Sequence, residues 1–207
     1  MRPLRFGLVG TGTQATTLLK ALRLSRLGFV VTVHSSSAER ATQYAARHRI
    51  PTGVSRVEDL IEQRPEAVCV ATRTADHAKV AIALLSAGIP VLCEKPAATC
   101  PSDTEAIIAA ARASRVFFME GYWTLCLPAY RNLKARAQAD GRVVALHFRA
   151  SFGYPVMPAS SPQLFARDSG VVLDRGCYLV AHALQLMGGV RSVQGTLLTN
   201  EEGIDTD

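Results

Sequence analysis

Five short apolar stretches, each suited to a buried strand, alternate with five helical patterns over residues 1–122, and this alternation constrains the fold most. The strand-like stretches are LRFGLVG (4–10), FVVTVHS (29–35), AVCVAT (67–72), PVLCEK (90–95) and RVFFMEG (115–121). They are rich in β-branched residues and bounded by turn formers, the character of strands covered on both faces. Between them lie ATTLLKALRLSRL, AERATQYAARH, RVEDLIEQR, ADHAKVAIALLSAG and PSDTEAIIAAARAS, each with apolar residues at helical spacing. The fourth stops at Gly88, and the last opens with Pro101 and Ser102 at a helix start. Parallel strands require crossovers, usually helical, so the pattern predicts an α/β domain with a doubly wound parallel sheet.

The pattern changes after residue 122. PAYRNLKARAQADGR (128–142) predicts a helix ending near Gly141, and VVALHFRASFGY (143–154) a long strand. A Pro/Ser-rich loop follows, then a helix over VLDRGCYLVAHALQLMGG (172–189) and a strand over SVQGTLLTN (192–200). Two strands make a marginal sheet, so residues 123–207 are expected to form an incomplete α/β domain, the start of a larger open sheet.

Composition narrows the class. No run of eighteen apolar residues is present, and glycines interrupt the apolar N-terminus before a signal-peptide core forms, so a cytoplasmic location is expected. The five cysteines are odd in number and lack C-x-x-C spacing, which argues against a disulfide framework or a metal site. A net charge of +6 comes almost entirely from scattered arginines without interleaved aromatics. That pattern excludes nucleic acid and membrane as expected partners.

GLVGTGTQA places Gly10, Gly12 and Ala15 in a G-x-G-x-x-A pattern directly after the first strand and at the start of the first helix. The first glycine suits a tight turn, the second admits a pyrophosphate to the backbone, and the alanine allows close helix packing. This predicts a Rossmann dinucleotide-binding domain over 1–122, with Thr13 and Gln14 also on the cofactor turn. The second strand ends in Ser35, Ser36 and Ser37, with no acid until Glu39. Hydroxyls followed by Arg40 suit a 2′-phosphate, so NADP is expected, with NAD possible. The alternative is that the serines only cap the next helix.

The cofactor turn, ATRTADH (71–77) and AGIPVLCEKP (87–96) together resemble the Gfo/Idh/MocA oxidoreductase family. MEGYWTLCLPAYRNLK (119–134) and SGVVLDRGCYLVAHALQLMG (169–188) are similar to its dihydrodiol and NADP-dependent xylose dehydrogenase branch. Arg73 and Leu125 depart from the family pattern, and the family continues well beyond the length of this chain, which therefore resembles a C-terminally truncated member. The resemblance implies hydride transfer between a nicotinamide and a carbinol or carbonyl carbon of a sugar, polyol or cyclic diol. It also implies a homodimer through the second-domain sheet and a cis link before Pro96. Lys95, Asp174 and Tyr178 are the implied catalytic set. Thr72, His77, Glu94 and Lys95 are implied to face the cofactor, and Trp123 and His182 the substrate.

Oxidising a carbinol releases a proton from oxygen as hydride leaves carbon, so a base must lie within hydrogen-bond reach. Asp174, Tyr178 and His182 are spaced to share one face of a helix. A tyrosine base requires a cation to favour its phenolate, and the resemblance assigns that role to Lys95. A second reading, a nucleotide-binding protein without catalysis, is favoured by Leu125, Arg73 and the short second domain.

Overall fold

The computed structural model describes residues 2–139 and 169–205, and the chain divides into two compact units, Met1–Gly121 and Tyr122–Asp207. The strand expected over 143–154 and the Pro/Ser-rich loop lie outside the described residues.

In the first unit the elements run β1 (Leu4–Val9), α1 (Thr13–Ser25), β2 (Gly28–His34), α2 (Ala38–His48), β3 (Thr52–Val54) and α3 (Val57–Glu62). They continue as β4 (Ala67–Val70), α4 (Thr74–Ser86), β5 (Val91–Cys93), α5 (Pro101–Ser114) and β6 (Phe118–Glu120). The six strands are all parallel in the order β3-β2-β1-β4-β5-β6. The chain winds outward from β1 to β3, then returns to the other side of β1 for β4 to β6. That reversal opens a crevice at the carboxyl ends of β1 and β4, where ligands bind in open α/β sheets.

Side-chain alternation along the strands builds two cores. Leu8 and Cys69 point to one face, with Val33, Ala15, Leu19 and Tyr44. Val9, Val68 and Val70 point to the other, with Leu60, Leu84, Leu85 and Ile107. Burial pushes the Cys69 thiol up to about 12, aided by the charge of Glu94, and raises that of Cys93 as well. Both cysteines serve as small apolar side chains.

The sheet contains one strand more than the apolar runs predict. β3 is only the triplet Thr-Gly-Val, too short for periodicity to reveal; it is defined by pairing, with Thr32 opposite Thr52 and His34 opposite Val54.

The second unit comprises a 3-10 turn (Trp123–Cys126), α6 (Pro128–Ala139), a π-helical turn (Val172–Gly176) and α7 (Cys177–Met187). Lys134 donates to Gln185 Oε1 at 2.7 Å, and the Tyr130 and His182 rings meet edge to face at 4.8 Å, joining α6 to α7. Two expectations are corrected here. The helix expected over 172–189 begins as a π-turn rather than an α-turn. The strand expected over 192–200 does not form; Thr199 makes only an isolated antiparallel bridge to Asp205. Strand-like alternation requires a partner ladder, none pairs with this segment among the described residues, and Val193, Leu197 and Leu198 are exposed. No helix among the described residues is long and apolar enough to cross a membrane.

Candidate nucleotide and catalytic site

β1 ends at a turn that only glycine can make. Gly10 has φ +112°, donates its N–H to the His34 carbonyl at 2.9 Å, and lies so close to Ala71 that a Cβ would collide with the carbonyl oxygen. The turn is thereby wedged between the ends of β2 and β4. Gly12 caps α1 in an extended conformation, and a Cβ there would meet nothing within 4 Å. Among the described residues no side chain caps α1 and no acid lies in its first turn, which suits the positive end of its dipole to an anion. Ala15, fully buried, holds the helix against the sheet. Thr13 and Gln14 form the exposed first turn. Open approach at Gly12 and a helix start uncapped among the described residues fit a dinucleotide pyrophosphate.

The serine turn after β2 divides its duties. Ser37 Oγ accepts the Arg40 N–H at 3.3 Å and caps α2. Ser35 and Ser36 instead tether the Arg40 guanidinium: Nε donates to Ser35 Oγ at 3.3 Å and Nη2 to Ser36 Oγ at 2.9 Å. Glu39, the nearest acid, accepts from Gln43 at 2.9 Å. A held cation thus follows β2, where an NAD site normally places a carboxylate.

Beyond β5 the chain carries Glu94, the buried Lys95 and a cis Lys95–Pro96 bond. Burial raises the Glu94 carboxyl above its ordinary range, opposed by the Lys95 N–H and ammonium. His77, on α4 and 1% exposed, lies with Nδ1 2.8 Å from the Pro96 carbonyl and Nε2 3.2 Å from the Thr72 carbonyl. It therefore stands between the end of β4 and the end of β5. Burial lowers its pKa against the pull of both carbonyls.

Glu120, which sequence reasoning did not single out, accepts the Ala97 N–H at 2.7 Å. Its signal was available, since an acid closes the sixth strand opposite Cys93, one residue before Glu94. Arg73 pairs with Asp76 at 3.3 Å on the exposed rim beside Thr72.

In the second unit, Trp123 Nε1 donates to the Tyr178 hydroxyl at 3.1 Å, and Tyr122 meets the Tyr178 ring edge to face at 5.8 Å. Asp174 sits in the π-turn with Arg175 Nε 3.0 Å from its carboxylate. His182 directs Nδ1 to the Tyr178 carbonyl at 2.6 Å and packs on Tyr130.

A parallel sheet with a glycine turn after β1 and a polar crevice at its carboxyl edge defines a Rossmann nucleotide-binding domain. Residues 4–122 match the Gfo/Idh/MocA family, described as an oxidoreductase family with an NAD-binding Rossmann fold, and the chain belongs to that family. It is 30% identical over 212 residues to scyllo-inositol 2-dehydrogenase (NADP(+)) IolU of Bacillus subtilis, covering 98% of this chain and 64% of that protein. It is also 30% identical over 209 residues to trans-1,2-dihydrobenzene-1,2-diol dehydrogenase of Bos taurus, covering 98% of this chain and 62% of that protein. The chain thus spans 62–64% of the length of these two relatives. Among solved structures, the WlbA dehydrogenase from Bordetella pertussis, in complex with NADH and UDP-GlcNAcA, shares the fold. Its TM-score is 0.81 at 22% identity, covering 100% of this chain and 65% of that one.

Proposed function

We propose that the protein is an NADP-dependent oxidoreductase that transfers a hydride between the nicotinamide and a carbinol or carbonyl carbon of a sugar, polyol or cyclic diol. One observation carries this reading. The Gly10–Gly12 turn, the tethered Arg40 and the buried Lys95 follow β1, β2 and β5 on the same carboxyl edge of one sheet. The names of the relatives, an inositol dehydrogenase and a dihydrodiol dehydrogenase, support the substrate class.

In this reading Gly12 and the first turn of α1 hold the pyrophosphate, and Arg40 with Ser35 and Ser36 holds a 2′-phosphate. The bound nicotinamide supplies the hydride acceptor or donor. Lys95 provides positive charge where alkoxide character develops on the substrate oxygen. Tyr178 takes the hydroxyl proton, its hydroxyl oriented by the Trp123 indole, and Asp174 orients the substrate. The same reading includes a homodimer, supported by exposed apolar side chains Val180, Leu184 and Met187 on α7; light scattering at the protein's working concentration checks it.

The test is absorbance at the reduced-nicotinamide band with NADP and a panel of inositols, aldoses and cyclic diols. A substrate-dependent rise that Lys95→Ala abolishes is expected. Absence of any rise, in a protein that binds NADPH, removes the reading.

A further inference from the structure

Lys95 stands at the start of a loop whose backbone is held on both sides by side chains outside that loop. On one side, His77 from α4 places Nδ1 2.8 Å from the Pro96 carbonyl. A neutral imidazole has one N–H and a carbonyl oxygen only accepts, so the grip on Pro96 uses the tautomer that carries its proton on Nδ1. On the other side, the Glu120 carboxylate at the end of β6 accepts the Ala97 N–H at 2.7 Å. The Gly121 N–H donates to the Cys93 carbonyl at 2.7 Å, so the backbone carrying Glu120 is itself fixed to β5. The Pro96–Ala97 peptide group that follows Lys95 is thus gripped at both of its polar atoms, its carbonyl by His77 of α4 and its N–H by Glu120 of β6.

We propose that His77 and Glu120 are positioning residues that clamp the Lys95–Ala97 segment and fix where the Lys95 ammonium stands. The role in turnover rests on the hydride-transfer reading; the placement of Lys95 does not. Both grips act on backbone groups. Each should therefore be replaceable by any side chain that restores the same donor or acceptor at the same place. Asn carries its amide nitrogen where His77 carries Nδ1, and Gln carries its amide oxygen where Glu120 carries Oε1. The substitutions His77→Leu and Glu120→Ala each remove one grip. A catalytic group displaced by about 1 Å can lose on the order of 10²-fold in rate, so these two variants are expected to lower kcat about ten- to a hundred-fold with the KM for NADPH little changed.

The chain contains only four lysines, Lys20, Lys79, Lys95 and Lys134, so the 207-residue protein labelled with 13C at lysine Cε gives a spectrum in which each can be followed. The Lys95 signal is the one missing in Lys95→Arg. In Glu120→Ala and His77→Leu that signal is expected to move while the other three stay, and in Glu120→Gln and His77→Asn it returns to its original place, with kcat following the same order. If all four signals collapse in His77→Leu, that variant has unfolded and the Glu120 pair decides. An unmoved Lys95 signal in Glu120→Ala overturns the clamp. A moved signal with unchanged kcat overturns its part in turnover. A wild-type protein without hydride transfer sinks the functional reading, and the lysine signals still decide the placement.

Discussion

Gly10 and Gly12 stand two residues apart in one turn, and their environments predict opposite consequences for the same added methyl group. At Gly10, φ of +112° and the Ala71 carbonyl both exclude a Cβ. Backbone strain costs roughly 1–3 kcal/mol and the overpacked contact a further 1–3, so Gly10→Ala should destabilise by about 2–6 kcal/mol. At about 2–4 °C per kcal/mol, the melting temperature should drop by at least about 4 °C. At Gly12 nothing lies within 4 Å of the added carbon and the backbone is already extended, so Gly12→Ala should change stability by no more than about 0.5 kcal/mol. The methyl would, however, occupy the approach to the first N–H groups of α1. Losing one charged hydrogen bond to a phosphate costs roughly 1.5–3 kcal/mol, so NADPH should bind at least about tenfold more weakly. Thermal melts followed by circular dichroism, paired with fluorescence titration of NADPH, separate the two effects. Gly12→Ala binding NADPH as tightly as the wild type would refute the placement of the pyrophosphate.

Arg40→Ala should weaken NADPH several-fold more than NADH, and Ser36→Asp should reverse the order of the two cofactors; equal losses in parallel titrations would remove the 2′-phosphate assignment. Lys95→Ala and Tyr178→Phe should each lower turnover by about 10²–10⁴-fold while cofactor affinity stays nearly intact; near-full activity in Tyr178→Phe would transfer the proton step elsewhere. His77 resists protonation in the fold, whereas in the unfolded chain it titrates near 6.5, so its share of stability declines as pH falls below about 6.5. His34 is also depressed by burial, so the His77 share is the difference between wild type and His77→Asn. That difference should narrow in denaturant melts between pH 7.5 and 5.5, by no more than about 1.4 kcal/mol per pH unit for one proton. A difference that widens towards acid contradicts the burial argument.

Long elements with strong periodicity are readable in the sequence alone. Five of the six strands and every helix of the first unit lie where apolar spacing places them, because buried parallel strands and two-sided helical cover leave a dense pattern. β3 was invisible because three residues hold no period, and only its ladder with β2 defines it. The segment 192–200 shows the reverse failure: Val193 and Leu197 lie at strand-like spacing among polar residues, yet local pattern cannot supply a pairing edge. At the site, the Gly10 turn and the position of Lys95 were legible, since motif spacing and strand ends determine them. The division of labour among Ser35, Ser36 and Ser37 was not, because capping and guanidinium tethering demand the same residue type. Contacts remote in sequence, such as Glu120 with Ala97 and Trp123 with Tyr178, leave no periodic trace and required the folded chain.

The central claim is that hydride moves between a substrate carbinol carbon and a nicotinamide cofactor. It is tested most directly by following the isotope. Inositol or a cyclic diol deuterated at its carbinol carbons is incubated with NADP and the protein, and the reduced cofactor is weighed by mass spectrometry. The reduced cofactor should carry the deuteron, and Lys95→Ala should form almost none of it. Reduced cofactor without deuterium, or none formed from any member of the panel by a protein that holds NADPH, would contradict it.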